Sequence, residues 1–167
     1  MAELLLIKPE EITETTIMGG DVDLDKYTYT IYNTQIMTLE PLLGTELYDK
    51  MITDFTVPTT YAGLYDTLYI DYIKPILKYK SVSEYISIAN YMLTNGGLLK
   101  HTSENTEVPT IGEVETLSNK YDSIAQMYIE RFDKWISLNS GSIPEYKTSQ
   151  DDVNAMNDLK ITGGWYL

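Results

Sequence analysis

The chain has no cysteine and a single histidine, His101, among its 167 residues. The absence of cysteine excludes disulfides, thiol catalysis, zinc fingers and iron–sulfur ligation. A single imidazole excludes any site that needs two histidines. No apolar run approaches the ~20 residues of a membrane span, and the start lacks the features of a signal peptide. We therefore expect a soluble protein made in a reducing compartment.

Basic residues are also scarce, since 12 lysines and arginines stand against 25 acids and give a net charge of −13. This is the wrong sign for a protein that wraps a polyphosphate. The sequence lacks the glycine motifs of nucleotide-binding loops and the G-x-S-x-G motif of serine hydrolases. Asp21-Val-Asp-Leu-Asp25 begins like a calcium loop, but Lys26 and Tyr32 occupy the positions that require glycine and glutamate. We expect no catalysis, no metal and no cofactor.

Tyrosine is the residue in excess: there are 15, against two phenylalanines and two tryptophans. Hydrophobic residues make up 43% of the chain, which is typical of a single globular domain at this length. Tyrosine has a large apolar ring and a polar hydroxyl, so it suits surfaces that are exposed to water before assembly and buried after it. The excess is explained either by packing in the core or by contact with other subunits.

The apolar pattern predicts a helical domain at residues 21–141 between an N-terminal arm, 1–20, and a C-terminal arm, 142–167. The first helix spans 22–43, bends near Pro41 and is ended by the glycine that follows. A second, short helix follows. The strings around Pro41 and Pro75 share one apolar–charged–Pro–apolar–Leu pattern, which predicts a proline bend in two helices.

Two possible capping boxes mark later helices. Ser81-Val-Ser-Glu84 predicts a helix that continues to Leu93, and the segment 85–99 has no charged residue, which is typical of a helix buried on several faces. Thr110-Ile-Gly-Glu113 begins the longest periodic segment, which predicts a helix of about 25–28 residues ending at Asn139. The fold class is therefore predicted to be all-α, a small bundle of four or five helices with extended arms.

The segment Leu39-Glu-Pro-Leu-Leu-Gly-Thr-Glu-Leu-Tyr-Asp-Lys-Met51 resembles the helix–Gly–helix signature of head–tail connector proteins of tailed bacteriophages. Its helix-junction motif consists of Pro41, Gly44, Leu47 and Tyr48. The resemblance is closest to the ring proteins of crAss-like phages. Four later segments are also similar to that family: Tyr72-Ile-Lys-Pro-Ile76, Ser83-Glu-Tyr85, Phe132-Asp-Lys-Trp-Ile136 and Ile143-Pro-Glu-Tyr146.

The resemblance implies a structural virion protein, made in the host bacterial cytoplasm and located at the head–tail junction. Its partners would be copies of itself in a ring, commonly twelvefold, the portal protein, and the next tail or ring protein, with DNA passing through without specific binding. Tyr85, Tyr91 and Met92 are expected at a subunit interface or in the core. Residues expected to contact the portal or a neighbouring subunit are Ile143, Pro144, Tyr146, Trp165, Tyr166 and Leu167.

Two other functions stay open on the sequence alone. An acidic protein can mimic DNA, although the acids here are interleaved with lysines such as Lys26, Lys50 and Lys74. A small hydrolase could use Asp21, Asp23 and His101 with a divalent ion, although His101 lies in a polar stretch typical of an exposed loop. The connector function is the one we expect.

Overall fold

Helices form most of the described part of the chain, which confirms the predicted all-α fold. The computed structural model describes residues 4–18, 24–56, 61–89, 91–94, 97–100 and 109–146. Within these ranges there are five helical rods, two of which are interrupted by a π-helical turn. The α-helices are α1 (Pro9–Thr15), α2 (Leu24–Thr34), α3 (Glu40–Leu43), α4 (Thr45–Thr56), α5 (Leu64–Leu68), α6 (Lys74–Ile88) and α7 (Ile111–Asn139).

The two π turns lie just ahead of the two prolines at which the sequence predicts bends. Gln35–Leu39 joins α2 to α3 before Pro41, and Tyr69–Ile73 joins α5 to α6 before Pro75. In each turn, the residue next to the proline donates its backbone N–H to the carbonyl five residues earlier. Proline has no N–H, and its ring crowds the carbonyl four residues back, so a wider turn relieves the crowding. The shared sequence pattern thus marks a shared backbone feature.

The first interrupted rod ends at Gly44, as predicted. Gly44 has a φ of +77°, a value that favours glycine, and its N–H donates to the carbonyl of Glu40 at 2.9 Å. Tyr48 then donates its N–H to the carbonyl of Gly44 at 3.0 Å, which begins α4 directly after the turn. This single residue therefore sets the angle between two rods.

Helix α6 is the middle layer of the bundle because it packs against both α2 and α7. Its Ser81 hydroxyl lies 2.9 Å from the Tyr27 hydroxyl of α2. Its Ser83 hydroxyl donates to the carbonyl of Ser118 of α7 at 3.0 Å. Serines at these contacts let the helices approach closely while their hydroxyls stay hydrogen-bonded. The largest fully buried side chains of the core are Tyr27, Phe132, Leu6, Ile7, Ile12, Ile31, Leu39, Leu43, Leu47, Met51, Leu68 and Ile73.

Helix α7 confirms the second capping box. The Thr110 hydroxyl accepts the N–H of Glu113 at 3.3 Å, and the Glu113 carboxylate accepts the N–H of Thr110 at 2.8 Å. These two bonds satisfy donors that a helix start leaves unpaired. The bonds from Thr110 hold the pKa of the Glu113 carboxyl below its usual value. The helix is 29 residues long, slightly more than predicted.

The first capping box is wrong, and the helix predicted after it is present only as far as Ile88 rather than Leu93. Helix α6 runs through Ser81–Glu84 without a break and ends at Ile88. Tyr91–Thr94 and Gly97–Lys100 then pair as antiparallel strands β1 and β2, with Tyr91 opposite Lys100. The linking sequence is Asn95-Gly96, a preferred dipeptide between hairpin strands, so local turn chemistry overrides the helical period.

The described part of the predicted N-terminal arm does not extend from the bundle. Leu6, Ile7, Ile12 and Met18 are buried in the core. The side chain of Gln35 accepts the N–H of Leu6 at 3.0 Å, and the Tyr69 hydroxyl donates to the carbonyl of Leu6 at 2.7 Å. The backbone ahead of α1, which bends at Leu6 and Ile7, thus has its polar groups hydrogen-bonded by side chains from other segments.

The tyrosines pack mainly within the chain, which favours the core explanation of their number. Among the tyrosine side chains that the structure describes, Tyr29 alone is exposed. The rings of Tyr79 and Tyr128 stack with centroids 5.7 Å apart, and those of Tyr61 and Tyr69 lie 4.8 Å apart. Such pairs stabilise by about 0.5–1.5 kcal/mol beyond burial alone.

Candidate functional site

The predicted helix-junction motif is a structural element rather than a binding surface. Leu47 is buried, and the Tyr48 hydroxyl accepts a hydrogen bond from the Gln35 side chain at 2.9 Å. Pro41 follows the π turn, and Gly44 makes the turn between rods. The motif therefore positions the first π turn and α3 against α4.

Two of the predicted C-terminal contact residues lie in the core of the subunit. Ile143 is fully buried, and the Tyr146 ring packs edge-on against Phe132 with centroids 6.2 Å apart. A tight turn brings them there, in which Tyr146 donates its N–H to the carbonyl of Ile143 at 3.0 Å. Pro144, between them, is exposed. The prediction that Ile143 and Tyr146 contact a partner is wrong, because their side chains fill the subunit's own core.

Some of the remaining predicted contact residues lie in the described part of the chain and others lie outside it. Tyr85 is half-buried, and its ring packs edge-on against Tyr27 at 5.2 Å, so it belongs to the α2–α6 contact. Tyr91 and Met92 lie on β1, opposite Lys100 and Leu99. The other predicted residues, Trp165, Tyr166 and Leu167, lie outside the described part of the chain.

The described residues do not bring together a cluster of metal-ligating side chains. No cluster of three or more His, Asp or Glu side chains is placed to hold a metal within these ranges. The serine hydroxyls between α6 and α7 bond to one another and to backbone carbonyls, as in the 3.1 Å contact of Ser87 with Ser118. Asp21, Asp23 and His101 lie outside the described residues.

A surface groove between α2 and α6 is the candidate binding site. It has a volume of about 440 Å³. One wall is a row of residues spaced by four positions that starts in α2 and runs into the first π turn, and the other is a similar row on α6. Four-residue spacing places side chains on one helix face. The rows are Tyr29, Asn33 and Met37 on the first wall and Lys80, Glu84 and Ile88 on the second.

The groove keeps large apolar side chains exposed. Tyr29 is 62% exposed, Met37 76% and Ile88 49%. Full burial of such a side chain is worth about 1.5–3 kcal/mol, and here that gain is mostly unused. Thr34 lies at the same groove and is only 3% exposed, yet its hydroxyl has no hydrogen-bond partner among the described residues. A buried unpaired hydroxyl costs about 1–3 kcal/mol. A bound partner could bury the exposed apolar side chains and supply a hydrogen bond to the Thr34 hydroxyl.

The charged part of the groove is centred on Lys80. Its Nζ lies 2.6 Å from a carboxylate oxygen of Asp122 on α7 and 3.2 Å from one of Glu84. Burial alone would lower the pKa of Lys80, but the bonds to these two carboxylates outweigh it and raise the pKa above its usual value. Lys80 therefore stays charged, and the two carboxylates around it, Glu84 in the groove lining and Asp122 beside it, make this region negative.

The sequence contained a weak signal for this groove. In the apolar stripe of the first helix, Tyr27 and Ile31 are buried, whereas Ile36 on the π turn is exposed. Tyr29 and Met37 lie off that stripe, and large apolar residues on the outward face of an amphipathic helix indicate a contact surface. What the sequence did not show is that α6 lies alongside and forms the second wall.

Comparison with known proteins assigns the chain to a protein family. No helix within the described ranges is long and apolar enough to cross a membrane. No curated protein and no solved structure matches the chain. The profile of DUF6712, a family of unknown function, matches residues 39–154, which include α4 to α7 and the π turn before Pro75. The chain belongs to the DUF6712 family.

Proposed function

We propose that this protein is a structural subunit of the head–tail adaptor ring of a tailed bacteriophage, docked on the portal and joined to the next tail or ring protein. In this role the protein performs no catalysis and binds no cofactor. The proposal begins from the resemblance of the segment 39–51 to head–tail connector proteins. It adds a function to a family that has none assigned.

The observation that carries the proposal is the groove between α2 and α6. Other apolar side chains, such as Ile70 and Leu138, are exposed elsewhere, but Tyr29, Met37 and Ile88 are exposed together in one concave surface. Exposed apolar side chains grouped in a concave surface are typical of a protein–protein contact. A groove of this kind fits a protein that works by assembly.

The charge of the chain fits a DNA channel through which the genome slides. A net charge of −13 opposes tight, non-specific attachment to phosphates. Among the described side chains, Lys50, Lys74 and Lys80 are each paired with carboxylates of the same chain. These three lysines are therefore neutralised within the subunit and are not free to bind phosphates.

The test is to localise the protein in phage particles and to measure its binding to the portal. Mass spectrometry of purified particles should detect the chain, and electron microscopy should place it between capsid and tail. A chain absent from particles that instead inhibits DNA-binding enzymes would replace this proposal with the DNA-mimic alternative.

Paired variants connect the groove to assembly. Met37→Glu places a negative charge in the groove. Ile70→Glu places the same charge outside the groove, at a 52% exposed position of the other π turn. We expect Met37→Glu to weaken incorporation into particles by about tenfold or more, and Ile70→Glu to leave it near normal, with equal melting temperatures. Equal incorporation of the two variants would show that the groove has no role in assembly.

The C-terminal arm is tested separately. Because Ile143 and Tyr146 are buried in the subunit, contact by the arm must come from its exposed residues, such as Pro144, or from later ones. Deletion of Trp165, Tyr166 and Leu167 should reduce docking on the portal while the far-UV circular dichroism of the helices stays unchanged. Full docking by the shortened chain would show that the end of the arm has no such role.

A further inference from the structure

The outward face of α7 differs from the rest of this acidic molecule. Lys120, Arg131 and Lys134 are exposed on it, together with Met127, which is 47% exposed, and Leu138, which is 86% exposed. Their positions are separated by seven, four, three and four residues, the spacing that keeps side chains in one stripe along a helix. We call these five residues the α7 stripe.

The cations of the α7 stripe are not neutralised by carboxylates. Neither Lys120 nor Lys134 forms an ion pair with any side chain in the described ranges, and the pair expected between Lys134 and Glu130 one turn earlier is not made. Arg131 lies over the ring of Tyr128 at 5.2 Å rather than beside an acid. In a chain of net charge −13, this concentration of unpaired positive charge is a local exception.

We propose that the α7 stripe of one subunit packs into the α2–α6 groove of the next copy of this chain, so that the two surfaces form the lateral contact of the ring. This inference rests on the proposed function for its ring, and it adds the two faces that meet. The stripe supplies apolar side chains and positive charge. The groove supplies exposed apolar side chains and the carboxylate of Glu84. Asp122 of α7, which pairs with Lys80 from outside the groove lining, adds a second carboxylate to this negative region.

The unpaired hydroxyl of Thr34 gives a second reason for this occupant. It is buried at the groove and has no partner among the described residues. Lysine and arginine side chains carry hydrogen-bond donors at the ends of long apolar stems, so they can reach such an oxygen while their stems cover Met37 and Ile88. A purely apolar occupant would leave the hydroxyl unpaired.

The two faces are different parts of the same subunit, which determines the kind of assembly. Helix α7 covers α6 with its inner face, and the stripe faces away from it. The groove lies between α6 and α2. A contact between unlike faces is heterologous, and it produces a ring when the rotation between neighbours closes. A contact between like faces would stop at a dimer.

DNA is a weaker candidate for the α7 stripe than a second copy. Met127 and Leu138 interrupt the cations, and the exposed carboxylates of Glu113 and Glu130 border them. Phosphate-binding faces instead concentrate positive charge. Salt-dependent binding of duplex DNA by the full chain, lost on reversal of these charges, would overturn the proposal.

Crosslinking between single-cysteine variants tests the contact, and the cysteine-free chain gives it a clean background. Met37→Cys places a thiol in the groove and Leu138→Cys places one in the stripe. With a short bismaleimide, a concentrated mixture of the two should give dimers, whereas each variant alone should give none. Ile70→Cys is the control partner for Leu138→Cys and should remain monomeric. Dimers of Met37→Cys alone, or a mixture that gives no dimer in solution or in particles, would overturn the proposal.

Charge reversal tests the electrostatic part. Lys134→Glu should lower the yield of mixed dimer by about two- to fivefold, the range expected for one exposed charge pair. Lys8→Glu, an exposed cation outside both faces, should leave the yield unchanged. Equal effects of the two variants would refute a specific role for the stripe.

The outcomes separate this inference from the proposed function. If particles contain the chain but yield no Met37–Leu138 crosslink, the lateral contact is wrong and the virion function stands. If the mixed crosslink forms in solution but no particle contains the chain, the contact stands and the virion function is wrong.

Discussion

Replacement of Gln35 by methionine is the sharpest test of how the N-terminal segment is held. Gln35 is 1% exposed and lies on the first π turn. Its carbonyl oxygen accepts the N–H of Leu6 at 3.0 Å, and its amide nitrogen donates to the carbonyl of Leu4 at 3.0 Å and to the hydroxyl of Tyr48 at 2.9 Å. Methionine is close to glutamine in length, so the substitution removes the amide without opening a large cavity.

The expected loss of stability follows from those three partners. The N–H of Leu6 and the hydroxyl of Tyr48 are bonded in buried surroundings, and the carbonyl of Leu4 is partly buried. A buried polar group left without a partner costs about 1–3 kcal/mol, so we expect the free energy of unfolding to fall by about 2–5 kcal/mol. This is a large part of the 5–15 kcal/mol that is typical of a single domain.

Urea denaturation followed by circular dichroism measures this loss. Met37→Leu is the matched control, since Met37 lies on the same π turn and is 76% exposed, and it should change stability by less than about 0.5 kcal/mol. Amide hydrogen exchange gives a local reading, because the N–H of Leu6 should exchange much faster in Gln35→Met.

A loss below about 1 kcal/mol with an unchanged exchange rate at Leu6 would refute this reasoning. It would mean that burial of Leu6, Ile7 and Ile12, together with the bond from Tyr69, holds the segment in place, and that the bonds of Gln35 contribute nothing measurable.

Other predictions concern the helix start, the helix contacts, the groove and alkaline pH. Thr110→Ala should reduce stability by about 1 kcal/mol, measured by urea denaturation, because the N-terminal cap of α7 is lost. Tyr27→Phe should cost about 1 kcal/mol in the same assay, since the buried bond to Ser81 is removed. Thr34→Val should leave the isolated chain as stable or up to about 1 kcal/mol more stable, because its hydroxyl is unpaired there, and a loss above 1 kcal/mol would contradict this. Burial, and secondarily the bond to a neighbouring carboxylate, raises the pKa of Tyr65 from 10.0 to about 12. Its contribution to stability is therefore complete below pH 10 and is lost as the pH rises through 12, which absorbance at 295 nm and circular dichroism should report together.

The sequence predicted those elements whose local signals agree with each other. In α7, the Thr110–Glu113 box and a long apolar period both indicate one helix, and the structure has it. Around Pro41 and Gly44, the local chemistry of proline and glycine predicted a disturbed helix and its end. In each case the cause lies within a few residues of its effect.

The missed features depend on contacts that are distant in sequence or on competing local signals. Ser81–Glu84 matches a capping box, but Ser81 is bonded to Tyr27 in the core and the helix continues through it. The apolar residues of the uncharged segment after Tyr85 recur with a helical period. This period predicted a helix, although Asn95-Gly96 is a dipeptide that favours a hairpin turn. The groove requires α2 and α6 side by side, and no local pattern shows which helices are neighbours.

The π turns also determine where a residue can be deleted from this chain without turning later side chains away from the core. A π turn holds one residue more than the α turn it replaces, so loss of Ile70 would keep both flanking segments facing the core as before. The same loss inside α7 would rotate every later side chain by about 100° around the axis. An ordinary turn ahead of Pro75 would be crowded by the proline ring, so the shorter rod also needs that proline replaced. One-residue deletions in DUF6712 relatives should therefore fall at this turn and coincide with the absence of its proline.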